Sequence, residues 1–270
     1  ASPAARRRAA ELGVDLDALG AALGNAPIAI ADVERAAATP PTAAPSPPVP
    51  PAASAAAPGA ATPSAATPEA AMRAAIAAAM ARSKREIPHY YLATEVDVER
   101  AQQWLERYNE SQPLAGRVLF AALALRAVAL ALREAPELNG QFVDGRFRPA
   151  QAIHVGVVTS LRGGGIVVPA VHDADRLALP ELMAALRDVL ARARSGRLRS
   201  SDLADSTITL TNLGDLGVET VFGVIYPPQV ALVGLGRVVP RPVARDGAIV
   251  ASRTMTVTLS GDHRVSDGLT

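Results

Sequence analysis

There is no cysteine in these 270 residues, which removes disulfides, thiolate metal sites and an acyl-cysteine intermediate from the available chemistry. Any thiol that reacts here must arrive on a substrate. Charge of one sign is equally scarce. The 27 basic residues are balanced by 26 acidic ones, with no long block of either, so composition offers no reason to expect a nucleic-acid partner. The apolar stretches are broken by Arg, Glu, Pro or Gly short of the ~20 residues of a bilayer span, and no signal-peptide pattern opens the chain. A soluble, cytoplasmic protein is expected. The sequence opens on Ala1 and stops at Thr270 directly after a motif, so truncation is expected at both ends.

With 49% hydrophobic residues, the chain has enough material for one sizeable domain plus appendages. Ser2-Pro3 reads as an N-cap followed by proline at the first helical position, and Gly13 as the residue that stops that helix. A second helix is predicted over Ile30 to Ala38, halted by Thr39-Pro40. A domain of residues 1–38 buries little surface, so its stability is expected to be marginal. Residues 39–68 collapse to Ala, Pro, Ser and Thr with no charged side chain. Such a stretch cannot build a core, and its prolines favour an extended polyproline II tether of about 3.1 Å per residue.

Residues 69–270 are the third part. A helix starting at Thr67-Pro68-Glu69 carries Met72, Ile76 and Met80 on one face, which is expected to pack inward. Alternation over Ile87 to Val98 predicts a half-buried strand. Helices follow around Glu99 to Tyr108, Val118 to Glu134 and Pro180 to Arg194. Strands are predicted at Ile153 to Thr159, Ile166 to Val171, Thr207 to Thr211, Val230 to Leu235 and Thr254 to Leu259. Asp144-Gly145 and Asp246-Gly247 have the composition of type I′ hairpin turns, and Arg162-Gly163-Gly164-Gly165 reads as a hairpin loop. Helices and strands mix without strict βαβ alternation, which favours an α/β sandwich on a mixed sheet over a doubly wound fold.

His263 follows the last predicted strand, with Asp267 four residues later. A histidine at a strand end can project into a cleft, although an isolated His and Asp at this spacing are more often structural. Thr211 ends a strand at Thr211-Asn212-Leu213-Gly214, and its threonines also suit plain strand propensity. His89, His154 and His172 show no metal-ligand spacing, so no metal site is expected. Gly234-Leu235-Gly236 lacks the third glycine and the helix of a dinucleotide fingerprint.

Five ordered segments of the large domain resemble the catalytic domain of dihydrolipoamide acyltransferases, the core components of 2-oxo acid dehydrogenase complexes. They are Ser83 to Tyr90, Ile166 to Val171, Thr209 to Gly214, Pro227-Pro228-Gln229 and Asp262 to Gly268. Ser2 to Arg7, Leu12 to Leu16 and Asp32-Val33 resemble that family's peripheral subunit-binding domain, and residues 39–68 resemble its Ala/Pro-rich linker. The resemblance implies a chloramphenicol acetyltransferase-like sandwich, assembled as homotrimers with the active site between subunits and then into a cubic or dodecahedral core. It implies acyl transfer from a dihydrolipoyl thioester to coenzyme A, both of them substrates. His263 would be the base that deprotonates a thiol of ordinary pKa near 8.5. Thr211 would donate to the oxyanion, and Asp267 would hold the loop through an arginine, Arg73 or Arg82.

Arg6 and Arg7 would engage dihydrolipoamide dehydrogenase or the 2-oxo acid decarboxylase. The Gly24 to Ile28 stretch lacks the arginine usual there, no lipoyl domain is present, and the helix that normally follows the Asp-Gly pair is absent beyond Thr270. Leu213 beside Gly214 resembles acetyl or branched-chain members more than succinyl ones. The competing readings are a non-catalytic scaffold subunit and a free-standing chloramphenicol-type acetyltransferase. Retention of His263 with Asp267 disfavours the first, and the tether with its helical domain disfavours the second.

Overall fold

A computed structural model describes residues 3–16, 19, 29–38, 68–161 and 164–269. The tether expected over residues 39–68 therefore lies outside the described residues except for Pro68, as do the Gly24 to Ile28 stretch and Arg162-Gly163. The chain divides into two units, Ala1–Thr62 and Pro63–Thr270.

In the first unit, α1 (Pro3–Leu12) and α2 (Ile30–Ala38) pack through Ala5, Ala9 and Val33. Gly13 at φ +66° stops α1, since a left-handed residue after a helix is tolerated best by glycine. Arg8 reaches Glu34 at 3.2 Å and ties one helix to the other. Arg6 and Arg7 fall within α1, but their side chains lie outside the described residues.

The second unit begins with α3 (Pro68–Glu86), β1 (His89–Asp97), α4 (Glu99–Glu110) and α5 (Phe120–Ala131). The hairpin β2 (Gly140–Val143) and β3 (Arg146–Pro149) follows, then β4 (Val155–Val157), β5 (Thr159–Ser160), β6 (Ile166–Val167) and β7 (Ala170–Val171). After α6 (Leu179–Arg194) and α7 (Ser200–Ala204) come β8 (Ile208–Asn212), β9 (Ala231–Leu235), β10 (Val239–Arg245) and β11 (Ala248–Asp262). The main sheet runs β1-β11-β9-β8-β4-β7, with β10 added to β11. Its β4, β8 and β9 are parallel neighbours and the other pairs are antiparallel, so the sheet is mixed as expected.

β8 and β9 are central strands and are buried along almost their whole length, which accounts for the near-continuous apolar run of β9, while β8 alternates Ile208 and Leu210 with Thr209 and Thr211. Helices α5 and α6 cover one face. On α6, Leu182, Leu186, Val189 and Ala193 recur at helical spacing and are all buried, as an amphipathic helix on a sheet requires. Residues Leu114–Ala131 have a mean hydropathy of 1.9, but the regular helix within them is the 12-residue α5. At 1.5 Å per residue it spans about 18 Å, well short of a ~30 Å hydrocarbon core. Its Ala122, Leu125 and Ala129 belong to the protein core.

Both Asp-Gly turns form as read: Asp144 and Gly145 take φ of 54° and 73°, Asp246 and Gly247 51° and 79°. Five expectations need correction. The run Ile153 to Thr159 is two strands in different sheets, and so is Ile166 to Val171. Pro169, which has no N–H to donate, sits at the second break, and its carbonyl accepts from Val157. Strand β1 is not half-buried: residues 91–97 are exposed on both faces, because β1 is an edge strand paired only with β11. The apolar face of α3 does not enter the core either. Met72 is exposed, while Ile76 and Met80 line a cavity. Finally, the last strand is far longer than Thr254 to Leu259, with 15 residues.

Edge and core are stapled by charge. Arg253 on β11 donates to Glu99 at 2.8 Å and also binds Glu106, joining the strand to α4. Side-chain hydrogen bonds from Arg253, then its backbone N–H, hold the Glu99 carboxyl down to about 2 from an ordinary 4.5. A depressed carboxyl stabilises the fold fully above pH 4.5 and loses that contribution as pH falls toward 2. The melting temperature of the parent should therefore exceed that of Glu99→Gln above pH 4.5, with the gap closing at lower pH. A gap independent of pH would show that the pairing contributes nothing to stability.

Candidate active site

His263 is the first residue beyond β11, and its position is set by backbone chemistry on both sides. Its N–H donates to Pro88 O at 3.0 Å, just ahead of β1. The carboxylate of Asp262, fully buried, accepts the Arg264 backbone N–H at 3.0 Å and the Arg264 guanidinium at 2.6 and 2.9 Å. Val265 and Ser266 N–H groups close on Asp262 O at 2.9 and 3.1 Å. The chain thus turns sharply at His263 and leaves the imidazole exposed. The Tyr90 ring meets it edge-on at 5.3 Å between centroids. Tyr90 is itself fixed by a 2.9 Å hydrogen bond between its hydroxyl and Ser266 Oγ. Gly261 makes room for that ring, since a Cβ there would collide with Tyr90.

Burial of Asp262 is affordable only with a strong counter-charge, and Arg264 supplies one. Its guanidinium lies 3.9 Å above the Phe142 ring centroid, within cation–π range, and Asp262 raises its pKa further. His89, at the start of β1, is a structural histidine. Its Nε2 accepts the Ile225 N–H at 3.1 Å, so its Nδ1 carries the proton and donates to Ile87 O at 2.9 Å. Burial lowers its pKa, consistent with that neutral tautomer.

Thr211 lies elsewhere. It is on β8 and lines an apolar-walled cavity of about 460 Å³, with Ile76, Met80, Val168 and Leu232 among its walls. Thr211 pairs with Gly234 and Gly234 with Thr258, so Thr211 sits level with a β11 residue five short of His263 and two strands away. With ~3.3 Å per residue and ~4.8 Å per strand spacing, the two Cα atoms are roughly 19 Å apart. Within one chain His263 and Thr211 do not meet. Asp267 is exposed, and its carboxylate accepts the Leu269 N–H at 2.8 Å. Arg82 engages Glu86 at 2.8 Å, and Arg73 lies on the exposed part of α3.

Tyr90, Asp262 and Arg264 fall within the resembling segments, but the sequence pattern alone assigns them no role. An Asp directly before a strand-end histidine, with Arg two residues on, is the signal for such a turn. Phe142 left no signal, because its contact with Arg264 depends on a hairpin far away in sequence. Among the described residues, no group of three His, Cys, Asp or Glu could hold a metal ion.

Arg264→Ala strands the buried Asp262 carboxylate and should destabilise the fold by about 3 kcal/mol, read as a lower denaturation midpoint. His263→Ala removes an exposed ring and should stay within about 0.5 kcal/mol of the parent. Equal effects from the two would refute the assignment of Arg264 as support and His263 as the group supported.

The family model for 2-oxoacid dehydrogenases acyltransferase (catalytic domain) matches residues 62–270. A Staphylococcus epidermidis protein named dihydrolipoyllysine-residue acetyltransferase component of pyruvate dehydrogenase complex is 30% identical over 289 residues, covering 100% of this chain and 65% of that protein. The chain spans between 46% and 65% of the length of the curated relatives of this kind that it matches. The crystal structure of a probable dihydrolipoamide acetyltransferase from Listeria monocytogenes superposes with a TM-score of 0.67 at 30% identity, over 73% of this chain and 85% of that one. A truncated catalytic core of the 2-oxoacid dehydrogenase multienzyme complex from Thermoplasma acidophilum gives 0.66 at 28%, over 73% and 88%. With a sheet, a strand-end histidine and a family match that all fall in the same residues, this chain belongs to the 2-oxoacid dehydrogenase acyltransferase family.

Proposed function

We propose that this protein transfers an acyl group from a dihydrolipoyl thioester to coenzyme A, as the core enzyme of a cytoplasmic 2-oxo acid dehydrogenase complex. The observation that carries this reading is the presentation of His263: an exposed imidazole on a buried, ion-paired turn. Such a base is rigid where it is held and open where it reacts.

The reaction follows from the groups available. His263 takes the proton of the coenzyme A thiol as its sulfur attacks the thioester carbonyl carbon. The carbonyl oxygen becomes an oxyanion, which the Thr211 hydroxyl stabilises by donation. Collapse breaks the bond to the lipoyl sulfur, and that thiolate recovers the proton from His263. No protein thiol is needed, in keeping with a chain that has none.

Because His263 and Thr211 of one chain stand apart, each centre takes its histidine from one copy and its threonine from the next, in a homotrimer that builds a larger core. The exposed apolar residues Tyr91, Leu92 and Val96 on edge strand β1 support contact between copies. The relatives' names favour acetyl as the acyl group. Asp267 steadies the turn, and residues 1–38 hold dihydrolipoamide dehydrogenase or the decarboxylase through Arg6 and Arg7.

His263→Ala should slow acyl transfer by about 10²- to 10⁴-fold without loss of assembly. A rate equal to the parent in a coenzyme A acylation assay rules the role out. Co-assembly of His263→Ala chains with Thr211→Ala chains should restore activity, since about one interface in four then joins an intact histidine to an intact threonine. A mixture no faster than its components would mean that both groups act within one chain.

A further inference from the structure

One polar cluster in the wall of the Thr211 cavity has no part in the chemistry described above. Ser206, Thr209 and Gln229 all line that cavity and are all buried. The Gln229 carboxamide is oriented without ambiguity. Its Nε2 donates to Ser206 O at 3.2 Å and to Ser206 Oγ at 3.0 Å. A backbone carbonyl can only accept, so the amide nitrogen must face it. The amide oxygen therefore faces β8, where Thr209 Oγ1 donates to it at 2.6 Å.

Thr209 and Thr211 are two residues apart on one strand and present their side chains to the same cavity. Their hydroxyls differ in one respect. The Thr209 proton is committed to Gln229, whereas the Thr211 hydroxyl makes no side-chain hydrogen bond among the described residues.

The cluster is costly as a purely structural device. Apolar groups of the same shape in an apolar wall would be nearly neutral or better for stability, since paired polar groups gain little net free energy on burial. What a fixed carboxamide adds is geometry. Gln229 holds β8 at two points, residue 206 just before the strand and residue 209 within it. Its own backbone is anchored by donation to Tyr226 O at 2.9 Å and by the bridge between Gln141 and Gln229.

We infer that Gln229 is a positioning residue for acyl transfer: through Thr209 it fixes the β8 rung beneath Thr211 and leaves the Thr211 hydroxyl as the donor available to the oxyanion. This inference rests on the proposed acyl transfer and adds a residue to its machinery. Gln229 itself touches no reacting atom.

The test is a double-mutant cycle on the assembled protein, with an acetylated dihydrolipoamide and coenzyme A as substrates. Thr209→Val and Gln229→Ala should each lower kcat about tenfold, with KM for coenzyme A within about twofold of the parent. Thr209→Ser, which keeps the donor, should retain the parental rate. In a Thr211→Ala background the same two substitutions should cost less than about twofold, because residues acting through a common group are not additive. Melting temperature and particle size identify folded variants, and Thr209→Val preserves the cycle if Gln229→Ala fails to assemble. Equal losses in both backgrounds, or a Thr209→Ser variant as slow as Thr209→Val, overturn the inference while leaving the acyl-transfer reading intact. A Thr211→Ala variant as fast as the parent also overturns the inference, and a parent protein that transfers no acetyl group to coenzyme A overturns both.

Discussion

The hydrogen-bond ladder along β11 is the constraint on which the catalytic unit depends. This strand pairs with β1 on one side, with β9 on the other, and with β10 over its first half. Its buried hydroxyls then hold what the ladder cannot reach. Thr258 donates to Val221 O and Ser260 donates to Gly223 O at 2.7 Å, so the segment ahead of β9 crosses the sheet on side-chain bonds. Ser83 of α3 donates to Ile225 O at 2.6 Å in the same segment. Asp262 continues this alternate-residue series, with its carboxylate turned to Arg264 instead of to a carbonyl. The ladder ends where the candidate base begins.

That arrangement explains why polar residues are buried here at all. A loop lying on a sheet carries carbonyl groups that require donors, and serine and threonine on a central strand provide them at little cost in strand propensity. Gly234 permits the close approach, since a Cβ there would collide with Thr258 and Val221. The arginine pairs to Glu99 and Asp262 contribute differently: one joins an edge helix to the strand, the other neutralises a charge at its end.

Much of this was legible in the sequence because it was local. Asp-Gly pairs demand positive φ, Gly13 ends a helix, and the spacing in α6 repeats with helical period. What escaped was non-local. The two-sheet fate of Ile153 to Thr159 depends on which strands neighbour it, and Val158 there donates to Leu210 O across the sheet. The distance between His263 and Thr211 depends on register through β9, which no pattern in either segment records. Exposure of β1 and α3 is not legible in the sequence for a related reason, as apolar residues on a single chain do not state whether their cover is intramolecular. Gln229 reads as one polar residue after two prolines, and only the fold brings it against Thr209.

The separation of histidine from threonine on opposite parts of one sheet has a consequence for control. On the proposed mechanism, an isolated chain, newly made or shed from its assembly, holds both halves of the machinery and is chemically mute. Catalytic competence under that mechanism is a property of neighbours, so turnover itself would certify that the architecture around it has been built, and stray chains would discharge no acyl groups into solution.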